Sequence, residues 1–113
     1  MSASHVTTHV LDTGSGQPAA GVEASLFQRT DGGWALLGSG VTDADGRIRS
    51  LGPARLASGT YRIEFGTGSY FAGAGIESFF PEVAISFRVE SAAPHYHVPL
   101  LLSPFAFSTY RGS

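Results

Sequence analysis

Hydrophobic side chains recur at every second position along most of this chain. In residues 60–65, Tyr61, Ile63 and Phe65 alternate with polar residues, and Val83–Val89 repeats the pattern. Because successive side chains of a strand point to opposite faces, a period of two predicts strands with one buried face. The pattern therefore favours an all-β fold.

Turn-forming residues divide this pattern into short segments. Asp31-Gly32-Gly33 predicts a tight hairpin, and segments 12–18 and 43–46 predict two further reversals. The predicted strands are 5–11, 22–29, 34–41, 47–50, 60–65, 83–89, 95–102 and 106–111, with a short helical candidate at 69–74. Seven or eight short antiparallel strands at this spacing predict a β-sandwich. A length of 113 residues fits one domain, 1–113.

Composition argues against several classes of partner. The formal net charge is -2 without a cluster of basic residues, so neither nucleic acid nor an anionic membrane surface is an expected partner. No segment approaches the ~20 apolar residues of a membrane helix, and the first five residues do not resemble a secretory signal. There is no cysteine for a disulfide or a thiolate metal site. We expect a cytoplasmic protein, with a peroxisomal location left open.

The four histidines form two pairs with strand spacing. His5 and His9 share the odd-numbered face of the first predicted strand, and His95 and His97 share that of the seventh. Because a neutral imidazole titrates close to physiological pH, such residues can transfer protons during a hydrolysis. Two other interpretations stay open. The histidines are solvated surface residues, or His9 joins His95 and His97 around a metal ion.

Two regions of the sequence contain an arginine whose planar guanidinium could bind an anion. Arg47 follows the turn at 43–46, where it either binds a planar anion or a developing oxyanion, or pairs with an aspartate of that turn. The last residues, Tyr110-Arg111-Gly112-Ser113, combine a guanidinium, two hydroxyls and an α-carboxylate. They form one wall of a polar pocket, or belong to an edge strand that pairs with another subunit, or both. No nucleophile elbow or phosphate-binding glycine loop occurs, so covalent and nucleotide chemistry are not expected.

A series of sequence blocks spans nearly the whole chain. The blocks are THVLDT at 8–13, GQPA at 16–19, TDADGR at 42–47, FPEV at 80–83, HYHVPLLLSPF at 95–105 and YRGS at 110–113. Together they closely resemble the 5-hydroxyisourate hydrolases, the enzyme branch of the transthyretin-like family. The YRGS ending is the most specific block, because transthyretin proper, the thyroid-hormone carrier, shares the fold and lacks this ending. The chain has Ala106-Phe107 where the family commonly has Gly-Tyr.

The resemblance implies a fold, an assembly and an activity. The fold is a transthyretin-like (prealbumin-like) β-sandwich with one short helix, assembled as a homotetramer in which two dimers enclose the active-site channels. The reaction is hydrolysis of 5-hydroxyisourate to 2-oxo-4-hydroxy-4-carboxy-5-ureidoimidazoline in urate catabolism, with no metal and no organic cofactor. The implied catalytic residues are His9, Arg47, His97 and Ser113, and the implied substrate-binding residues are Tyr110, Arg111 and Gly112. His5 and His95 stay outside this set.

The implied mechanism uses water as the nucleophile. His97 or His9 deprotonates the water, Arg47 holds the substrate and stabilises the oxyanion, and Ser113 helps to position the reactants. The main alternative is a transthyretin-like carrier that binds a small aromatic ligand without turnover. A third possibility is a structural or adhesion domain.

Overall fold

Two β-sheets pack face to face in the computed structural model, which describes residues 3–113. The strands are β1 (Val6–Asp12), β2 (Gln17–Pro18), β3 (Glu23–Thr30), β4 (Gly33–Val41), β5 (Arg47–Ile48), β6 (Gly59–Phe65), β7 (Val83–Val89), β8 (Tyr96–Ser103) and β9 (Ala106–Thr109), with helix α1 at Thr67–Gly73. Met1 and Ser2, which the predicted domain 1–113 includes, lie outside the described residues. No helix in the described part of the chain is long and apolar enough to cross a membrane.

The core lies between the two sheets. One sheet has the order β2-β1-β8-β9, with β5 also paired to β1, and the other has the order β4-β3-β6-β7. Alternate residues of both sheets are buried, including Val6, Val10, Leu26, Tyr61, Ile63, Phe65, Leu100 and Leu102. Since burial follows the period of two, the predicted β-sandwich is confirmed.

One strand pairing departs from the predicted antiparallel arrangement. β1 and β8 run parallel, with partners that extend from Val6 opposite Tyr96 to Asp12 opposite Leu102. The two strands are separated by about 90 residues, so no hairpin fixes their relative direction. This parallel pair forms the centre of the sheet that carries the predicted site.

The short helix is confirmed, and tertiary contacts support it more than its sequence does. Its N-cap residue is Gly66, which makes no side-chain capping hydrogen bond. Phe71 is buried, and the hydroxyl of Tyr70 donates a hydrogen bond of 2.9 Å to Asp12 Oδ2. Burial and this hydrogen bond raise the pKa of Tyr70 to about 12. These contacts explain why a glycine-rich segment is helical.

Candidate active site

One face of the first sheet carries the predicted catalytic histidines. The parallel register places Thr7 opposite His97, and the antiparallel pairing of β1 with β5 places His9 opposite Arg47. Opposed residues of neighbouring strands share a face, so these four side chains lie on the face that points away from the core. The predicted placement of His9 and His97 is therefore confirmed.

A cavity of about 280 Å³ opens on this face. It brings together three of the four predicted catalytic residues, Arg47, His97 and Ser113. The complete lining is Ala3, Thr7, Thr8, Arg47, Ile48, Arg49, His95, His97 and Ser113. His9 is not part of this lining. It is the cross-strand partner of Arg47 and lies on the same face of the sheet.

The imidazole of His97 is held by a hydroxyl. Thr7 Oγ1 lies 2.9 Å from His97 Nδ1 and 2.9 Å from His95 Nε2. The two imidazole rings are nearly parallel, with an interplanar angle of 18° and centroids 6.5 Å apart. Because Thr7 occupies Nδ1, Nε2 is the ring nitrogen of His97 that is available to a reactant.

The surroundings of His97 favour its neutral form. Partial burial lowers the pKa of His97 below the ordinary value of 6.5, and the positive charge of Arg47 lowers it further. His95 and His9 act in the same direction. A histidine that is neutral at physiological pH can accept a proton, as a general base must.

The turn before β5 binds the backbone of Arg47, and in the described part of the chain its carboxylates form no ion pair with the Arg47 guanidinium. Asp43 Oδ1 accepts hydrogen bonds from the backbone N–H groups of Arg47, at 3.0 Å, and Asp45, at 2.9 Å. The Arg47 N–H makes the largest contribution to lowering the pKa of the Asp43 carboxyl. Asp43 Oδ2 lies 3.7 Å from Arg49 Nη1, so the ion pair considered for Arg47 forms with Arg49 instead. Within residues 3–113, no carboxylate oxygen lies within 4.0 Å of the Arg47 guanidinium.

Gly112 packs directly on His97. Its N–H donates a hydrogen bond of 2.8 Å to the His97 carbonyl, in an isolated bridge after β9 has ended. A Cβ at this position would lie 2.6 Å from His97 Cδ2 and 3.2 Å from Pro99 Cγ. Only glycine lets the backbone pass so close to the ring, and this path carries Ser113 into the cavity.

The predicted substrate-binding residues Tyr110 and Arg111 lie in a second, larger cavity. It has a volume of about 580 Å³ and is lined by Ile85, Ser86, Phe87, Arg88, Glu90, Ala93, Tyr96, His97, Val98, Thr109, Tyr110 and Arg111. The Arg111 guanidinium stacks on Tyr96, with Cζ 4.6 Å from the ring centroid. Of the predicted set, Arg47 and Ser113 thus line the smaller cavity, Tyr110 and Arg111 line the larger one, and His97 lines both. His9 and Gly112 line neither cavity.

The interpretation of His5 as a solvated surface residue on the strand face of His9 is wrong. His5 is 1% exposed and precedes β1. Its Nδ1 accepts a hydrogen bond of 3.0 Å from the Leu56 N–H, and its Nε2 donates one of 2.6 Å to the Ala93 carbonyl. Loops that are distant in sequence therefore cover His5 and remove it from the site.

Thr7 is the residue that the sequence interpretation missed. Its odd number in β1 already places it on the face of His9, and this was the available signal. Its contacts also bear on the proposed metal site, because Thr7 lies between His95 and His97 and binds one nitrogen of each. Among residues 3–113, no three His, Asp or Glu side chains form a group that could hold a metal ion.

Comparisons with known proteins found a family model, sequence relatives and solved structures that are similar to this chain. The model of the HIUase/Transthyretin family matches residues 6–112. A 5-hydroxyisourate hydrolase of Salmonella dublin is 49% identical over 109 residues, which cover 96% of this chain and 80% of that protein. The structure of Klebsiella pneumoniae 5-hydroxyisourate hydrolase superposes with a TM-score of 0.84 at 42% identity, covering 96% of this chain and 98% of that one.

A solved transthyretin shares the same fold. Transthyretin from Sparus aurata superposes with a TM-score of 0.90 at 33% identity and covers 96% of both chains. Fold similarity alone therefore does not separate the two branches of the family. Since the family model covers nearly the whole chain and a relative shares almost half of its residues, this chain belongs to the HIUase/Transthyretin family.

Proposed function

We propose that this protein hydrolyses 5-hydroxyisourate, by attack of water on a cyclic amide carbonyl, to give 2-oxo-4-hydroxy-4-carboxy-5-ureidoimidazoline. The observation that carries the proposal is the smaller cavity, which brings His97, whose pKa is lowered, together with Arg47 and Ser113. Among residues 3–113, no carboxylate lies within 4.0 Å of the Arg47 guanidinium. The 49% identity to a Salmonella dublin protein with this activity supports the choice of substrate. The cytoplasmic location stays a prediction.

His97 acts as the general base in this proposal. Its Nδ1 is bound to Thr7, so Nε2 takes the proton of the attacking water. A positioned general base contributes typically ~10²–10⁴ in rate. His9, on the same face and opposite Arg47, is the second candidate for this role.

Arg47 and Ser113 act on the substrate. The guanidinium of Arg47 offers a fixed cation to the substrate and to the oxyanion that develops at the attacked carbonyl, a contribution of roughly 10²–10³ for one well-placed donor. Ser113 lies in the same cavity and positions the water or the substrate. Neither role requires a metal or an organic cofactor.

The remaining predicted residues shape the site. Gly112 allows the chain to pass against the His97 ring and to present Ser113. Tyr110 and Arg111 line the adjacent cavity, which shares His97 with the first. We assign them to substrate binding, with Arg111 held in place by its stacking on Tyr96.

The assembly proposed for this function is a homotetramer, a dimer of dimers. β7 and β9 are each one of the edge strands of a sheet, and within residues 3–113 each pairs with a neighbouring strand on one side only. Large apolar side chains are exposed nearby, with Phe79 71%, Phe105 63% and Tyr110 58% exposed. Exposed edges and apolar surface of this kind favour pairing between subunits. Light scattering coupled to size-exclusion chromatography tests the assembly, and a stable monomer contradicts it.

A carrier without turnover is the second candidate, because the transthyretin of Sparus aurata superposes at least as well as the hydrolase structure does. The imidazole and guanidinium side chains that line the smaller cavity favour the hydrolase. An imidazole and an unpaired guanidinium are suited to proton transfer and anion binding, whereas a carrier of a small aromatic ligand needs mainly apolar contact.

The first experiment generates 5-hydroxyisourate in situ from urate with urate oxidase and follows its ultraviolet absorbance. We expect the protein to accelerate the decay, and His97→Ala and Arg47→Ala each to lose at least roughly 100-fold in rate. Arg55→Ala is the matched control for Arg47→Ala, because Arg55 is exposed. Within residues 3–113, its side chain makes one hydrogen bond, from Nη1 to the Ser91 carbonyl at 3.3 Å. Decay at the spontaneous rate with the folded wild-type protein contradicts the hydrolase and leads to a ligand-binding screen.

A further inference from the structure

We propose that Thr7 is a positioning residue that sets the tautomer of His97 and connects it to His95 as a proton relay. The inference rests on the proposed function, since it concerns the same general base. It adds two residues, Thr7 and His95, that lie outside the catalytic set implied by the family resemblance.

The geometry of the relay is a continuous row of three polar groups. His97 Nδ1, Thr7 Oγ1 and His95 Nε2 are joined by two contacts of 2.9 Å each. Thr7 is 7% exposed, and the pairing of β1 with β8 fixes its position opposite His97. His95 is exposed at the outer end of the row, whereas His97 is half-buried at the inner end.

Counting hydrogens shows why the hydroxyl couples the two rings. A threonine hydroxyl has one proton, so it donates to only one of the two imidazoles and accepts from the other. When Thr7 donates to His95, His97 must carry its proton on Nδ1, and its Nε2 is a free base. When Thr7 donates to His97, the proton of His97 is on Nε2, which is then a hydrogen-bond donor and no longer a base. The hydroxyl thus couples the protonation of His97 Nε2 to that of His95.

The relay moves protons in a balanced way. The water oxygen bonds to the carbonyl carbon of the substrate, and the π electrons of the carbonyl group move to the carbonyl oxygen. At the same time, a proton of the water passes to His97 Nε2. The Nδ1 proton of His97 passes to Thr7 Oγ1, and the original hydroxyl proton passes to His95 Nε2. Three bonds to hydrogen break and three form. When the ring nitrogen leaves, the same transfers run backwards and deliver a proton to it.

Charge explains what such a relay achieves. Without it, the proton taken from water would leave a cationic imidazole at His97, which is partly buried and close to His9, Arg47 and His95. With it, the positive charge rests on exposed His95, where water solvates it. Further charged groups lining the two cavities that contain His97 are Arg49, Arg88, Glu90 and Arg111.

Isosteric variants test the hydroxyl. Thr7→Val keeps the shape of the side chain and removes the hydroxyl, whereas Thr7→Ser keeps the hydroxyl. We expect Thr7→Val to lower kcat roughly 10- to 100-fold, part of the contribution of a general base, with KM within about twofold of wild type. Thr7→Ser should recover most of this loss. A Thr7→Val variant with wild-type kcat overturns the proposal, as does a loss that Thr7→Ser does not rescue, which would indicate packing.

The outer end of the relay is tested by His95→Gln, which retains a hydrogen-bonding side chain that cannot carry the proton. We expect a loss of kcat similar to that of Thr7→Val. The double variant, Thr7→Val with His95→Gln, should be no slower than the slower of the two single variants, because both changes interrupt one pathway. Additive losses contradict a shared relay.

Nuclear magnetic resonance of the imidazole nitrogens separates this inference from the proposed function. In the wild-type protein we expect the proton of His97 on Nδ1, and in Thr7→Val a changed ratio of the two tautomers. If the wild type does not hydrolyse 5-hydroxyisourate, the proposed function fails, and the tautomer comparison alone decides the role of Thr7. Identical His97 nitrogen shifts in wild type and Thr7→Val overturn it.

Discussion

His5 lies directly before β1 and His97 lies in β8, and their surroundings give these two histidines opposite properties. Both ring nitrogens of His5 bind backbone groups, the Leu56 N–H and the Ala93 carbonyl. His97 instead binds a side-chain hydroxyl through one nitrogen and lines two cavities. A histidine fixed by backbone partners stabilises the fold, whereas one fixed by a hydroxyl keeps a nitrogen for chemistry.

The same contrast applies to the arginines. On the second sheet, Arg62 stacks on Trp34, with Cζ 4.2 Å from the ring centroid, and its Nη1 lies 3.9 Å from Glu64 Oε2. Arg47 has no carboxylate within 4.0 Å among residues 3–113. A side chain whose polar groups are already paired contributes to packing, and an unpaired one near a cavity is a candidate for binding substrate.

The largest effect that tests this comparison is on stability, in His5→Ala. Losing the ring leaves the Leu56 N–H and the Ala93 carbonyl unpaired in the core, and we expect the free energy of unfolding to fall by roughly 2–4 kcal/mol. Urea denaturation measures the change. The folded variant should hydrolyse 5-hydroxyisourate at the wild-type rate, so a large loss of kcat with unchanged stability would contradict the structural role of His5.

The next largest effect is on catalysis, in Gly112→Ala. The added methyl group would lie 2.6 Å from His97 Cδ2, so the ring or the chain end must shift, at an expected cost of roughly 10- to 100-fold in kcat. Gly73→Ala is the matched control, because nothing lies within 4 Å of a Cβ at that helical position. Steady-state kinetics of both variants measures the difference. Equal rates would show that the packing of Gly112 on His97 is not needed.

A smaller effect concerns pH. Protonation of His97 removes the general base, so kcat/KM should fall as the pH falls through the pKa of His97, with a midpoint below 6.5 because burial and Arg47 lower that pKa. Arg47→Gln removes the second of these causes, so the midpoint should rise while staying below 6.5. A pH–rate profile measures both. A wild-type midpoint at or above 6.5 would argue against His97 as the base.

The smallest effect is expected for Arg62→Ala on the second sheet. Its stacking on Trp34 and its ion pair with Glu64 are partly exposed, so we expect a loss of less than about 1 kcal/mol in the free energy of unfolding. Urea denaturation and the hydrolysis assay measure the two quantities. Since Arg62 is distant in the fold from the site-bearing sheet, the rate of hydrolysis should not change.

The sequence predicts features that depend on neighbouring residues. The alternation in β6 correctly identifies Tyr61, Ile63 and Phe65 as buried, because each strand reports its own buried face. In β1 and β8, the same kind of alternation places His9 and His97 on the face that points away from the core. These predictions need no knowledge of which strands pair.

Features that depend on distant segments were not predictable in this way. His5 obeys the same alternation as His9, but the chain near Leu56 and Ala93 covers it, and no local pattern indicates this. The contact between Thr7 and His97 depends on a register that joins residues 90 positions apart. The parallel direction of that pairing was missed for the same reason.

The parallel pairing of β1 with β8 also has a consequence for the order of folding. Its seven residue pairs close a long loop, and contacts of such high sequence separation form late and slowly because chain entropy must be lost first. During synthesis, β1 therefore emerges long before its partner exists. His9 is made early, whereas the Thr7–His97 contact arises only when nearly the whole chain is present, so an incomplete chain has no assembled centre.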